Sequence, residues 1–136
     1  MANARAIVKS LDHLVLTCRD VVVTSSWYAT HLGMRPETFV AASDPSITRH
    51  ALRFGAQKIN LHQQGREFEP KATTALPGTA DLCFVVEDGT DLKSLAAAFE
   101  KDGIKVLEGG EVVHRTGARG PIRSIYVRDP DGNLVE

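Results

Sequence analysis

The chain has 136 residues, 43% of them hydrophobic and 24% charged, with a formal net charge of −1. That length suits one domain, or two small halves around a shared core. The near-zero charge excludes a global electrostatic pull toward nucleic acid or a membrane surface, and no apolar run approaches the roughly 20 residues that span a bilayer. The opening "MANARAIVKSLDHLVL" lacks the continuous apolar core and small-residue cleavage site of a signal peptide. Cys18 and Cys83 lie in separate apolar runs and read as buried free thiols of a reducing compartment, so a cytoplasmic protein is expected.

The first predicted element is a strand over "LDHLVLTC", residues 11–18. Its alternation puts Leu11, His13, Val15 and Thr17 on one face and Leu14, Leu16 and Cys18 on the other. A helix is expected over "VVVTSSWYATHLG", with Thr24 as its cap, an apolar stripe of Trp27, Tyr28 and Leu32, and Gly33 as terminator. "MRPETFVAA" reads as a strand whose Pro36 suits an edge position. After the turn "SDPS", the segments "TRHALRFG" and "QKINLHQQ" read as a hairpin around Gly55-Ala56. Residues 65–79 have no period and are broken by Pro70, Pro77 and Gly78, as expected of a linker.

The second half repeats this grammar. "ADLCFVVED" reads as a strand, and "TDLKSLAAAFEKDG" as a helix capped by Thr90 or Asp91 with Leu92, Leu95, Ala96 and Phe99 on one side. "IKVLEGG" reads as a strand. "PIRSIYVRD" and "GNLVE" read as a closing hairpin across Asp129-Pro130-Asp131-Gly132, a strong turn signal. Each half is therefore expected to be β-α-β-β-β: module one over 9–64, the linker over 65–79 and module two over 80–136. The expected fold class is α+β, with paired modules forming a cup-shaped mixed sheet and the helices outside.

Laid over each other, the two halves match His13 with Asp81 and His62 with Glu136. All four are ionisable or ligand-capable side chains in strands beside apolar residues, where a charge is costly unless paired or bound to a metal. Two imidazoles with one or two carboxylates suit a divalent cation such as Mn, Fe, Ni, Co or Zn. On this reading His13, His62 and Glu136 hold the metal, and Asp81 is a further ligand, a group orienting a histidine, part of the substrate site, or a residue at a loop edge. "HRTGARGPIR" is expected to be a flexible loop, either solvated or closing over the cup with Arg115 and Arg119 as an anion clamp.

Three segments carry a resemblance: "LDHLVLTCRD" with "YATHLGM", "RFGAQKINLH", and the ending "IYVRDPDGNLVE". Through them the chain resembles the vicinal oxygen chelate superfamily, of the glyoxalase/bleomycin-resistance/dioxygenase fold. "INLHQQGREFEPKA", "PGTADLCFV" and "RTGARGPIRSIYVRDPDGNLVE" are similar to the glyoxalase-domain-containing protein 5 group and its bacterial relatives. The resemblance implies a metal between modules that two vicinal substrate oxygens chelate, with Glu136 also able to move a proton, and usually a homodimer. The family's fifth-strand histidine is here Asp81, which weakens any direct transfer of glyoxalase I or dioxygenase activity. A metalloenzyme acting on a small, oxygen-chelating, anionic molecule is expected, by isomerase, lyase, transferase or dioxygenase chemistry. The alternative is a protein that binds and sequesters a small molecule without reacting with it.

Overall fold

The computed structural model describes residues 4–136. The first module contains β1 (His13–Cys18), α1 (Val21–Leu32), β2 (Arg35–Ala41), β3 (Asp44–Phe54) and β4 (Gln57–Gln63). Its sheet has the order β1-β4-β3-β2, with β1 parallel to β4 and the other pairs antiparallel. The alternation expected in β1 holds. Leu14, Leu16 and Cys18 enter the core, while Val15 on the opposite face is 44% exposed. β2 is an edge strand, as Pro36 requires. Gly33 ends α1 at φ 65°, a backbone conformation that costs glycine no steric strain.

The cap of α1 is Asp20 rather than Thr24. Asp20 Oδ1 accepts from the N–H groups of Val22 and Val23 at 2.9 and 3.2 Å. Thr24 lies a turn further on and faces inward, where its hydroxyl donates to Asp131 Oδ2 at 3.2 Å. An aspartate was available at the helix start, and the threonine was drawn to a partner more than a hundred residues away.

The second module contains β5 (Asp81–Leu82), α2 (Leu92–Lys101), β6 (Val113–Gly117), β7 (Gly120–Ser124), β8 (Val127–Arg128) and β9 (Leu134–Val135). β5 is parallel to β9, and β9 antiparallel to β8. Asp91 caps α2, whose Leu92, Leu95, Ala96 and Phe99 all reach the core. The β-α-β-β-β grammar recurs with the strand expected over "PIRSIYVRD" split into β7, paired with β6, and β8, paired with β9; three other local expectations fail. The strand over "ADLCFVVED" is paired only at Asp81–Leu82, with the backbone bonds to β9 running from the Ala80 carbonyl to the Phe84 N–H, which donates to the Glu136 carbonyl at 2.8 Å. "IKVLEGG" is not a strand. Glu100 Oε1 takes the N–H of Val106 at 2.8 Å, Val106 is buried, and the chain turns through a short 3-10 segment at Glu108–Gly110. "HRTGARGPIR" is not a loop either. It forms the β6–β7 hairpin, with Gly117 opposite Gly120, because glycines flanking a two-residue tip meet the turn's backbone demands. Cys18 is buried as expected and burial pushes its thiol up to about 12, but Cys83 is exposed.

One core spans both modules. The apolar face of the first sheet and α1 pack with Phe99, Val106, Val127 and Val135 of the second module. Phe84 lies edge-on to both Tyr28 and Phe54, with ring centroids 6.5 and 5.4 Å apart. Among the described residues no helix is long and apolar enough to cross a membrane.

The DPDGN turn does more than reverse the chain. Asp129 Oδ1 accepts the backbone N–H groups of Asp131 and Asn133, each at 2.9 Å. Asp129 Oδ2 accepts the Asn133 side-chain amide at 2.7 Å and the Tyr28 hydroxyl at 2.8 Å. Burial, with Asp129 close by, pushes the Tyr28 hydroxyl well above its ordinary pKa. Asp131 Oδ1 takes the N–H of Arg19, and Asn133 Oδ1 takes that of Ala80. Gly78 passes so close that a Cβ there would lie 2.4 Å from the Asp131 carbonyl oxygen. Since a hydrogen bond to a buried charge is worth roughly 1.5–3 kcal/mol, Tyr28→Phe is expected to destabilise the protein by about that amount. Urea unfolding at neutral pH measures it, and no loss of stability would show that Asp129 does not tie the modules through Tyr28.

Candidate metal centre

β-strand alternation gives the first sheet two unlike faces. One is the apolar core. On the other, His13, Val15 and Thr17 of β1 lie level with Lys58, Asn60 and His62 of β4. Ala51 of β3 lies beside Asn60.

His13 is oriented for a ligand's task. Its Nδ1 is 2.7 Å from Asp12 Oδ2, and the hydrogen bond to His13 holds the Asp12 carboxyl below its ordinary pKa. A carboxylate at Nδ1 keeps the proton there and leaves the Nε2 lone pair free, as in histidines that bind metals. Asn60 is 6% exposed, and its Oδ1 has no hydrogen-bond partner. Such an orphaned oxygen costs stability unless something outside the chain occupies it. His62 is 5% exposed. Its ring stands edge-on to Phe68, with centroids 5.4 Å apart, and its Nε2 is 3.4 Å from the Arg49 guanidinium. Burial first, then the Arg49 charge, lowers its pKa.

In the second module, Glu136 is fixed by its backbone N–H bond to the Leu82 carbonyl at 2.7 Å. Ser124 Oγ donates to its Oε2 at 2.7 Å. A cavity of about 300 Å³ opens here, lined by Cys83, Phe84, Ile122, Ser124 and Glu136 among others. Arg115 Nε donates to the Tyr126 hydroxyl at 3.1 Å, and its guanidinium lies 5.4 Å from that ring's centroid. Burial raises the Tyr126 pKa, with the Arg115 bond opposing it and Glu136 adding to it. Arg115 and Arg119 are both exposed, Arg119 at the hairpin tip. Asp81 is exposed beside Leu134 of β9.

Among the described residues of one chain, no three histidine, cysteine, aspartate or glutamate side chains converge closely enough to hold an ion. The strand registers also redraw the overlay between the halves. His13 pairs with Lys58, and Asp81 pairs with Leu134. Counting two residues onward from each partner gives Asn60 in the first module and Glu136 in the second. The counterpart of Glu136 is therefore Asn60, not His62. His62 lies four residues beyond the level of His13, about 13 Å along the strand at 3.3 Å per residue. Reasoning from charge alone overlooked Asn60, which carries none; the signal that finds it is the parallel register of β1 and β4. An imidazole oriented by a carboxylate, an orphaned amide oxygen and a hydrogen-bonded carboxylate are donors that fit a divalent cation.

Paired βαβββ modules define a fold of the vicinal oxygen chelate class. The chain belongs to the Glyoxalase/Bleomycin resistance protein/Dioxygenase superfamily, whose model matches residues 10–136. It is 53% identical over 129 residues to the "Glyoxalase domain-containing protein RDO1" of Mycosarcoma maydis, covering 95% of this chain and 67% of that protein. It is 49% identical to "Virulence protein STM3117" of Salmonella typhimurium, covering 98% of this chain and 86% of that one. The crystal structure of that virulence protein superposes with a TM-score of 0.81, covering 96% of this chain and 95% of the other. A fosfomycin resistance protein, FosX, from Listeria monocytogenes, solved with Mn(II) and a dihydroxypropylphosphonic acid, shares the fold at a TM-score of 0.60. It is 15% identical, covering 95% of this chain and 88% of that one.

Asn60 is a residue whose burial is unfavourable in the protein alone. Asn60→Leu removes an unsatisfied oxygen at similar volume and is expected to raise the stability of metal-free protein by about 1 kcal/mol. Thermal or urea unfolding in a chelator checks this, and a marked loss of stability would mean that the amide is satisfied within the fold.

Proposed function

We propose that this chain is a divalent-metal-dependent enzyme of the vicinal oxygen chelate type, acting on a small, anionic, oxygen-chelating substrate. The observation that carries the reading is the orphaned Asn60 Oδ1, buried on the face of His13 at the place that the registers equate with Glu136. His13 and Asn60 supply ligands from one module. Glu136 and, at the place matching His13, Asp81 supply them from the other. His62 stands apart from this set. It was expected as a ligand, but its distance along the strand from His13 argues for another task.

A bound divalent ion supplies Lewis acidity toward substrate oxygens. The protein's own groups do the rest. Asp12 keeps the His13 ring in one tautomer. Ser124 holds one Glu136 oxygen and leaves the other to bind or to accept a proton from carbon or water.

The reading includes a homodimer in which each site draws on two copies. Two observations support it: His13, Asp81 and Glu136 do not converge within one chain, and sheet edges are left with exposed apolar groups. β1 is an edge with Val15 partly exposed, and the segment after β5 presents Val85 at 93% exposure. Proteins cover such edges, here with a second copy. A cytoplasmic location suits the unpaired Cys18 and Cys83.

His13→Ala and Glu136→Gln are each expected to weaken Mn(II) or Zn(II) binding by about 10–100-fold, the scale of losses at metal sites. Co-refolding the two variants is the sharper test. If each site takes His13 from one copy and Glu136 from the other, mixed dimers regain one full-affinity site that neither variant has alone. Titration calorimetry with sedimentation reads both. Unchanged metal affinity in both variants would defeat the metal site. A monomer at micromolar concentration, or no recovery on mixing, would defeat the shared one.

A further inference from the structure

Arg49 is an arginine without a counter-charge. No carboxylate among the described residues lies within ion-pair distance of it. Glu37, on the neighbouring strand, is taken by Arg53 at 2.7 and 3.3 Å. Glu67 accepts the N–H of Gly65 at 3.1 Å. The Arg49 guanidinium is instead held by aromatic faces, 5.4 Å from the centroid of Phe39 and 4.6 Å from that of Phe68. Its edge meets the His62 ring nitrogen at 3.4 Å. Lys58 Nζ lies 4.6 Å over Phe39 and also lacks a carboxylate partner among the described residues. Two cations are thus fixed by ring faces on a sheet surface where neither is neutralised. Aromatic walls restrict the guanidinium but leave its fork of N–H donors available, an arrangement suited to planar, bidentate binding of an oxyanion.

We propose that Arg49, seated between Phe39 and Phe68 beside His62, receives a second, remote anionic group of the substrate, with Lys58 as the supporting cation. This deepens the reading of the same face as the substrate site and rests on it. The distances set the substrate class. Arg49 is beside His62, two residues along β4 from Asn60, which is about 7 Å at 3.3 Å per residue. A molecule whose vicinal oxygens are chelated beside His13 and Asn60 therefore meets Arg49 with a carboxylate or phosphate a few bonds further on. That is the shape of a 2-hydroxy or 2-oxo acid bearing a second acidic group. It also gives His62 a role: its Nε2, 3.4 Å from Arg49, positions the guanidinium.

The test compares three ligands that share one chelating end, titrated into Zn(II)-loaded full-length protein by calorimetry. Lactate has no second anion, malate has a second carboxylate, and 3-phosphoglycerate has a phosphate. Malate or phosphoglycerate is expected to bind at least tenfold more tightly than lactate, and their order tells carboxylate from phosphate. Losing a charge-assisted hydrogen bond costs roughly ten- to a hundredfold in affinity, so Arg49→Met should erase the preference. Lactate and metal affinities should stay unchanged. Arg49→Lys, which keeps the charge and a similar length, should recover part of it. Equal binding of all three ligands by the wild type overturns the proposal, as does a preference that survives in Arg49→Met. The same titration on metal-free protein, followed by amide shifts at Arg49 and His62, separates the two readings. A wild type that takes up no metal yet shifts at Arg49 with malate and not lactate would defeat the metal site and leave the anion site standing.

Discussion

The structure depends on one buried carboxylate. Asp129 is 5% exposed and accepts four hydrogen bonds, two from the backbone of its own turn, one from Asn133 and one from Tyr28. An aspartate so far from water is tolerable only with its acceptor capacity filled. Filling it requires the DPDGN turn in this conformation and α1 in this position. The turn places β9, and β9 places Glu136. Asp131 adds bonds to Thr24 and Arg19 at the start of α1, and Asn133 reaches Ala80 just before β5. The two modules are thus joined by polar contacts at the turn as well as by the apolar core.

The first sheet divides its labour by face. Leu14, Leu16, Leu52, Ile59 and Leu61 commit one side to the core, which fixes the register because a one-residue slip would turn every side chain over. With the register fixed, the opposite face can carry groups that do not stabilise the fold. Asn60 is buried without a partner for its oxygen, and Arg49 and Lys58 are held by rings rather than by carboxylates. Stability given up in this way is characteristic of surfaces kept for a ligand. The second module shows the same division. Val135 enters the core while Glu136, the next residue, faces the cavity with Ser124.

The elements that the sequence revealed are those whose signals are local. Alternation marked β1, the Gly55 turn marked the β3–β4 hairpin, Asp91 and the apolar stripe marked α2, and DPDGN marked the closing turn. Misreadings arose where a local signal had two outcomes. Gly117 and Gly120 suit a mobile loop or a tight hairpin, and pairing from Val113 with Ser124 to Gly117 with Gly120 decided for the hairpin. "IKVLEGG" has strand-like residues, but Glu100 captured the Val106 N–H and Gly109 and Gly110 turned the chain. Thr24 is a good cap by type, and Asp131 offered it a buried partner instead.

The sequence by itself determined the duplicated βαβββ plan, the family, and His13 and Glu136 as candidate ligands, because periodicity, turn chemistry and motif spacing are written along the chain. Tertiary structure alone decided which residues answer to each other across the modules. The parallel pairing of β1 with β4 set Asn60 against Val15 and carried His62 away from His13 toward Arg49. Register arises from packing one whole face of a sheet, so it is a property of all its strands together, and no single segment states it.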